Sequence, residues 1–283
     1  MEDLDFTTQP SESPVYDPVA AMKFFKSAGV SESVAAGTAF FSEHQSRGFF
    51  SADERMFLLV QGSVGLTVAG KSLDTVKPGE IFGELATITD SKRAATASAK
   101  TDCSVISLDA KQFQKAIAQT PGFALMLMSI MIDRLRLRIA MLSMQKAVPA
   151  AIASGDRRVF DDATLNEIAG ALGDPPPIRY SAGQTIINAG EPGVRMYLLR
   201  KGIVAITANG NTLERVRVGG VFGEMALVDQ STRKASAVAE TDCELMAVNR
   251  KQFLDLVQSN PAFGLSLLKL LGQRLQAATG AGK

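Results

Sequence analysis

A chain of 283 residues, 46% of them apolar, is long enough for two ordinary domains that each bury a core of their own. Thirty basic against 29 acidic residues leave a net charge of +1, which excludes the broad basic surface that nucleic-acid backbones demand. One histidine and two cysteines supply neither a metal-ligand cluster nor a disulfide framework, so the setting expected is a reducing cytoplasm.

Residues 1–18 hold five acidic residues, three prolines and no lysine or arginine, the composition of a disordered acidic tail. The opening "MEDLDFTTQP" has neither a basic start nor an apolar core, so no secretory signal is expected. A helical lead-in, "DPVAAMKFFKSAG", follows, then the turn and strand of "AAGTAFF". Short apolar runs broken by glycine, as in "MFLLVQGSVGLTV", predict half-buried strands joined by turns. Helical spacing resumes in "KQFQKAIAQTPGFALMLMSIMIDRLRLRIAML", where Pro121 suits the first turn of a new helix. Its apolar run from Phe123 stops at Asp133, short of the roughly 18 residues that span a membrane, so no insertion is expected. A stretch rich in small residues, "AVPAAIASGDRR", predicts a domain boundary, giving a tail over 1–18 and domains over 19–147 and 148–283. Beyond it the same order recurs: a lead-in helix "DDATLNEIAGALG", the strands of "MYLLRKGIVAITA", and the helices of "KQFLDLVQSNPAFGLSLLKLLGQRLQ".

The recurrence is a duplication. Residues 56–125 laid on 196–265 at a constant offset of 140 are identical at 28 of 70 positions, without a gap. Upstream the offset becomes 146, which pairs "AAGTAFF" with "SAGQTII" and gives the first copy a loop six residues longer, around His44 to Asp53. Cys103 and Cys243 fall in matching "TDC" triplets, as copied core positions do, and Phe82, Phe222, Phe113 and Phe253 read as core. The fold class expected is α+β, each copy a compact β unit flanked by helices.

Within each copy one segment carries chemistry: "FGELATITDSKRAATA" from Phe82 and "FGEMALVDQSTRKASA" from Phe222. Glycine before glutamate at the start of a short helical turn aims backbone N–H groups into a concavity and lets a ligand approach closely. An arginine nine residues after the glutamate adds a permanent charge and a planar fork of donors suited to phosphate. The glutamate would repel a bare phosphate, so the pattern asks for an anion that also presents a hydroxyl, a sugar-phosphate.

These segments resemble the phosphate-binding cassette of cyclic-nucleotide-binding domains, as found in protein kinase A regulatory subunits, bacterial cyclic-nucleotide-gated channels and catabolite activator proteins. The resemblance takes in the upstream turn, the strands around Gly62 and Gly202, the cassette and the trailing helices. It implies two jelly-roll-like β-rolls of eight strands, each with flanking helices. It implies ligand contacts at Gly83, Glu84, Leu85, Ala86, Arg93, Ala94 and Ala95 in the first copy, and at Gly223, Glu224, Met225, Ala226, Arg233, Lys234 and Ala235 in the second. The arginines would hold the cyclic phosphate and the glutamates the ribose 2′-hydroxyl. Ala94, directly after the first arginine, leans toward cAMP over cGMP; Lys234 leaves the second preference open and adds a cation at the mouth. The retained Glu and Arg pair argues against cyclic di-GMP. Thr87 stands where an apolar residue is usual, and Arg134 and Arg274 on the trailing helices are either lid residues or solvated.

Leu125, Met128, Ile132, Leu135, Ile139 and Leu142 fit heptad positions, so helix 123–144 either pairs in a homodimer or packs within the chain. No nucleophile or base cluster points to an enzyme. The expected protein is a bacterial, cytoplasmic tandem sensor of cAMP, with cGMP as the second candidate ligand, that needs no cofactor or metal and signals to an effector protein. The alternative is a scaffold that keeps the fold while one or both cassettes bind nothing.

Overall fold

The computed structural model describes residues 16–43, 55–144 and 158–279. The acidic stretch to residue 15, the long loop with His44 and the 147/148 boundary lie outside the described residues.

Helix α1 (Pro18–Ala28) starts where Asp17 accepts a hydrogen bond from the Val19 N–H at 2.8 Å, with proline in the first helical position. Among the described residues eight strands then follow, β1 (Val30–Val34), β2 (Ala39–Phe41), β3 (Met56–Gln61), β4 (Val64–Val68), β5 (Lys71–Val76), β6 (Ile81–Phe82), β7 (Thr96–Ala99) and β8 (Cys103–Leu108), with the short helix α2 (Glu84–Thr89) between β6 and β7. They form two antiparallel four-stranded sheets, ordered β1-β8-β3-β6 and β2-β7-β4-β5. Alternate side chains of both sheets enclose one core, in which Phe57 and Phe82 stack at 5.1 Å and Cys103 lies as a free thiol. Helix α3 (Ala110–Gln119) opens with a capping box between Asp109 and Gln112, and α4 (Gly122–Met144) follows at Pro121.

The second copy repeats this plan. After α5 (Asp162–Ala171) come β9 (Ile178–Tyr180), β10 (Thr185–Ile187), β11 (Arg195–Lys201), β12 (Val204–Ala208), β13 (Asn211–Val216), β14 (Val221–Phe222), β15 (Ser236–Ala239) and β16 (Cys243–Asn249), with α6 (Glu224–Val228) between β14 and β15. The sheet orders, β14-β11-β16-β9 and β10-β15-β12-β13, match those of the first copy strand for strand. Tyr197 stacks on Phe222 at 5.3 Å in the place of Phe57 on Phe82, and Cys243 is again a buried free thiol. Helices α7 (Arg250–Ser259) and α8 (Pro261–Thr279) close the chain's described part. The expected fold class, two β-rolls with flanking helices, is the one observed.

The trailing helices distribute in a way the linear repeat does not announce. Of the described residues, compactness groups those from 16 to 127 with 260–279 in one unit, and 128–144 with 158–259 in another. Helix α8, which follows the second β-roll in sequence, therefore belongs with the first. Most of α4, which follows the first, belongs with the second. Of the heptad residues, Met128, Ile132 and Leu135 are buried within the chain, while the side chain of Leu142 lies outside the described residues. Among the described residues no single helix is long and apolar enough to cross a membrane, although α3 and the first part of α4 satisfy that test jointly as a bent pair.

Candidate functional site

Both cassettes are built at the end of a two-residue strand. At Gly83 the backbone turns left-handed with φ of +77°, and a Cβ there would lie 2.9 Å from the Phe41 ring and 3.1 Å from Arg93 Nη1. Gly223 repeats the turn at +80°, with its nearest neighbour Arg233 Nη1 at 2.9 Å. Only glycine meets both demands, positive φ and the close approach of an arginine. The turn starts α2 and α6 with the glutamates in their first position, the favourable end of the helix dipole for a carboxylate. Glu84 and Glu224 are both buried, at 6% and 2% exposure.

The arginines return to the same spot from the segments before β7 and β15. Arg93 donates from Nη1 to the Gly83 carbonyl and from Nη2 to the Arg55 carbonyl, both at 2.8 Å. Its Cζ lies 4.2 Å from the centre of the Phe41 ring, a cation–π contact. Arg233 donates to the Gly223 carbonyl at 2.6 Å and to the Arg195 carbonyl. Ile187 stands in the second copy where Phe41 does in the first, so the stacking is absent there. Both arginines are buried, Arg93 at 6% and Arg233 at 7% exposure. Burial pushes the Arg233 pKa down, opposed by Tyr197, Glu224 and Glu191, yet a guanidinium stays charged at neutral pH. Each cassette thus holds a desolvated cation fixed by backbone carbonyls, the local charge that an anion would complement.

Ala86 and Ala226 are buried, while Gly83, Leu85, Ala94, Ala95, Gly223, Met225 and Ala235 are partly exposed around the turn. Lys234 is exposed and Thr87 is buried, its hydroxyl donating to the Gly83 carbonyl at 3.2 Å. The matched trailing-helix arginines part company: Arg134 is exposed, whereas Arg274 is buried.

Several participants escaped sequence reasoning. The carbonyls of Arg55 and Arg195 anchor the arginines, and backbone acceptors leave no mark on residue type. In the second copy the loop before β11 clamps the arginine segment, with Gly190 N–H donating to the Arg233 carbonyl and Arg233 N–H to the Glu191 carbonyl, each at 2.8 Å. The ends of the cassette helices are latched to trailing helices. Gln276 of α8 donates to Thr89 at 2.9 Å and to Ser91 at 2.5 Å. Arg136 of α4 pairs with Asp229 and donates to Ser231 at 2.7 Å. All three pairs of latch residues obey the offset of 140, a regularity that could have exposed them.

The pattern of the cyclic nucleotide-binding domain family matches residues 47–120 and 177–260, together more than half of the chain. The chain belongs to this family. Among curated relatives, the cAMP-dependent protein kinase regulatory subunit of Eremothecium gossypii is 26% identical over 204 residues, covering 71% of this chain and 39% of that one. The protein of the same description from Aspergillus niger is 34% identical over 190 residues, covering 66% and 41%. The crystal structure of the Thermus thermophilus catabolite activator protein is similar at 34% identity and a TM-score of 0.38, covering 42% of this chain and 59% of that one. The chain spans about two fifths of the length of the fungal relatives. With the cyclic nucleotide-binding domain present twice, the two cassettes are the repeated parts in which a buried glutamate and a buried arginine face one turn.

Proposed function

We propose that the chain is a tandem cyclic-nucleotide sensor that binds cAMP at both cassettes and, on binding, changes its contacts with a partner protein. The observation that carries this reading is the duplicated turn: a left-handed glycine, a buried glutamate at a helix start and a buried arginine held on two carbonyls, twice in one chain. Arg93 and Arg233 would take the cyclic phosphate together with N–H groups at Leu85, Ala86, Met225 and Ala226, and with those of Ala94, Ala95, Lys234 and Ala235. Glu84 and Glu224 would accept from the ribose 2′-hydroxyl. Charge-assisted hydrogen bonds of roughly 1.5–3 kcal/mol each suffice to shift a chain between two packings a few kcal/mol apart.

The fungal relatives are by name regulatory subunits of a cAMP-dependent protein kinase. That supports a regulatory rather than catalytic role and makes a kinase catalytic subunit the first class of partner to test. A reducing cytoplasm suits the buried free thiols Cys103 and Cys243. Isothermal titration with cAMP and then cGMP tests the reading, on protein shown by mass spectrometry to carry no nucleotide. Two cAMP per chain, in preference to cGMP at the first site, is the expected result. No uptake by empty protein would overturn it in favour of a scaffold.

A further inference from the structure

Arg55 is pinned at both ends. Its carbonyl, at the edge of the first cassette, receives Arg93 Nη2 at 2.8 Å. Its side chain runs over the Phe57 ring, with Cζ 5.4 Å from the centroid, and reaches Glu32 Oε1 at 2.5 Å. The same carboxylate oxygen accepts from the hydroxyl of Ser107, and Arg55 Nη1 lies 3.4 Å from that hydroxyl. Glu32 and Ser107 sit on the adjacent strands β1 and β8, so the carboxylate, hydroxyl and guanidinium fasten the residue before β3 to the sheet.

The second repeat keeps the arginine but lacks the carboxylate and the hydroxyl at the matching places. Register puts Ile178 where Glu32 stands, each opposite the equivalent residue of the neighbouring strand, and Ala247 where Ser107 stands. Arg195, the counterpart of Arg55, is exposed. There the carbonyl is steadied from the main chain: Pro192 bridges Thr232, and Gly193 N–H donates to the Ser231 carbonyl at 3.2 Å. One geometric need, a fixed acceptor for the cassette arginine, is met by a polar side-chain cluster in one repeat and by loop backbone in the other.

We propose that Glu32, Ser107 and the Arg55 side chain are positioning residues for Arg93, holding its guanidinium at the angle the first cassette needs for an anion. The inference rests on the proposed reading of the cassettes as cyclic-nucleotide sites. The brace touches no ligand and acts only through the Arg55 carbonyl.

The test uses the full chain with Arg233→Glu, so that only the first site reports, titrated with cAMP. Glu32→Gln and Ser107→Ala are each expected to weaken the dissociation constant by about tenfold, the order of one charge-assisted hydrogen bond, while one site still fills. The same changes in a chain carrying Arg93→Glu instead should leave the second site's affinity within about twofold. Ser107→Ala, which installs the residue found at the matching place of the second repeat, keeps the test decisive if Glu32→Gln fails to fold. In a third background, Arg93→Lys, which cannot fork onto two carbonyls, adding Ser107→Ala should change nothing further. Unchanged affinity in both brace variants overturns the inference alone, as does an equal loss in the Arg93→Lys background, which would mark a merely structural role. No uptake by the nucleotide-free parent chain overturns the inference together with the reading beneath it.

Discussion

At the end of α2, two hydroxyls, Thr89 and Ser91, meet the neutral amide of Gln276; at the end of α6, a buried carboxylate and a hydroxyl, Asp229 and Ser231, meet the guanidinium of Arg136. The places are equivalent under the repeat, and so is the job of tying a cassette helix to a covering helix. The chemistry differs by a full ion pair, in which Asp229 is 1% exposed at its side chain. Arg250 adds to this end, donating to the carbonyls of Leu227 and Val228 at the close of α6, where the first repeat has Ala110. Duplicated turns can thus keep the same glycine, glutamate and arginine while the strength and salt response of their surroundings diverge. The residues that face the turn are constrained by geometry in both copies, whereas the latch needs only some complementary pair.

Charge reversal at the cassette arginines should have the largest effect. Arg93→Glu or Arg233→Glu places a carboxylate where the anion would sit and should weaken binding at that site by at least about a hundredfold, leaving the other site filled. Titration stoichiometry falling from two to one, with unaltered circular dichroism, is the expected outcome; full affinity at both sites would remove the cassettes from the argument.

The two latches should respond unequally to truncation. Arg136→Ala leaves Asp229 buried without its cation and should cost about 3–5 kcal/mol of stability, as breaking a buried pair does. Gln276→Ala leaves two hydroxyls that can turn to one another, since Thr89 and Ser91 already lie 2.8 Å apart, and should cost only about 1 kcal/mol. Urea midpoints of the two variants measure the difference, and equal losses would erase the contrast between the latches. Between these extremes lies Gly272→Ala. A Cβ there would meet Thr89 Cγ2 at 2.5 Å, so overpacking of about 1–3 kcal/mol is expected. Thr89→Ser removes that methyl, keeps the hydroxyl for Gln276 and should recover most of the loss.

Gly272 also illustrates what the sequence withholds. Read along the chain it is one more glycine inside an apolar helix; in the fold it faces Thr89 and Leu85 of α2. The half-buried strands, the Gly-Glu turns with their arginines and the lead-in helices were legible because period-two patterning, glycine punctuation and a repeat without gaps over residues 56–125 point the same way, whereas the β-roll itself came from the family resemblance. Helix exchange was not, since α4 and α8 are apolar on several faces and their sequence does not say which β-roll they cover. Backbone acceptors such as the Arg55 carbonyl were hidden for a simpler reason: every residue type has one.

The smallest expected effect concerns Asp133, one turn before Arg136 on α4. Its pKa is raised, first by desolvation and then by the nearby charge of Asp229, with Arg136 pulling the other way. A carboxylate whose folded pKa exceeds its unfolded value binds protons more readily when folded. Its ionisation therefore weakens the fold above the folded pKa, and that penalty fades as pH falls toward the unfolded value near 3.8. Asp133→Asn removes the charge and should raise the thermal midpoint slightly at neutral pH, with the gain shrinking under acid. Gln273 stands at the same place before Gln276 in the first repeat's latch and carries no charge of its own, so Gln273→Asn should leave the pH dependence of the midpoint unchanged.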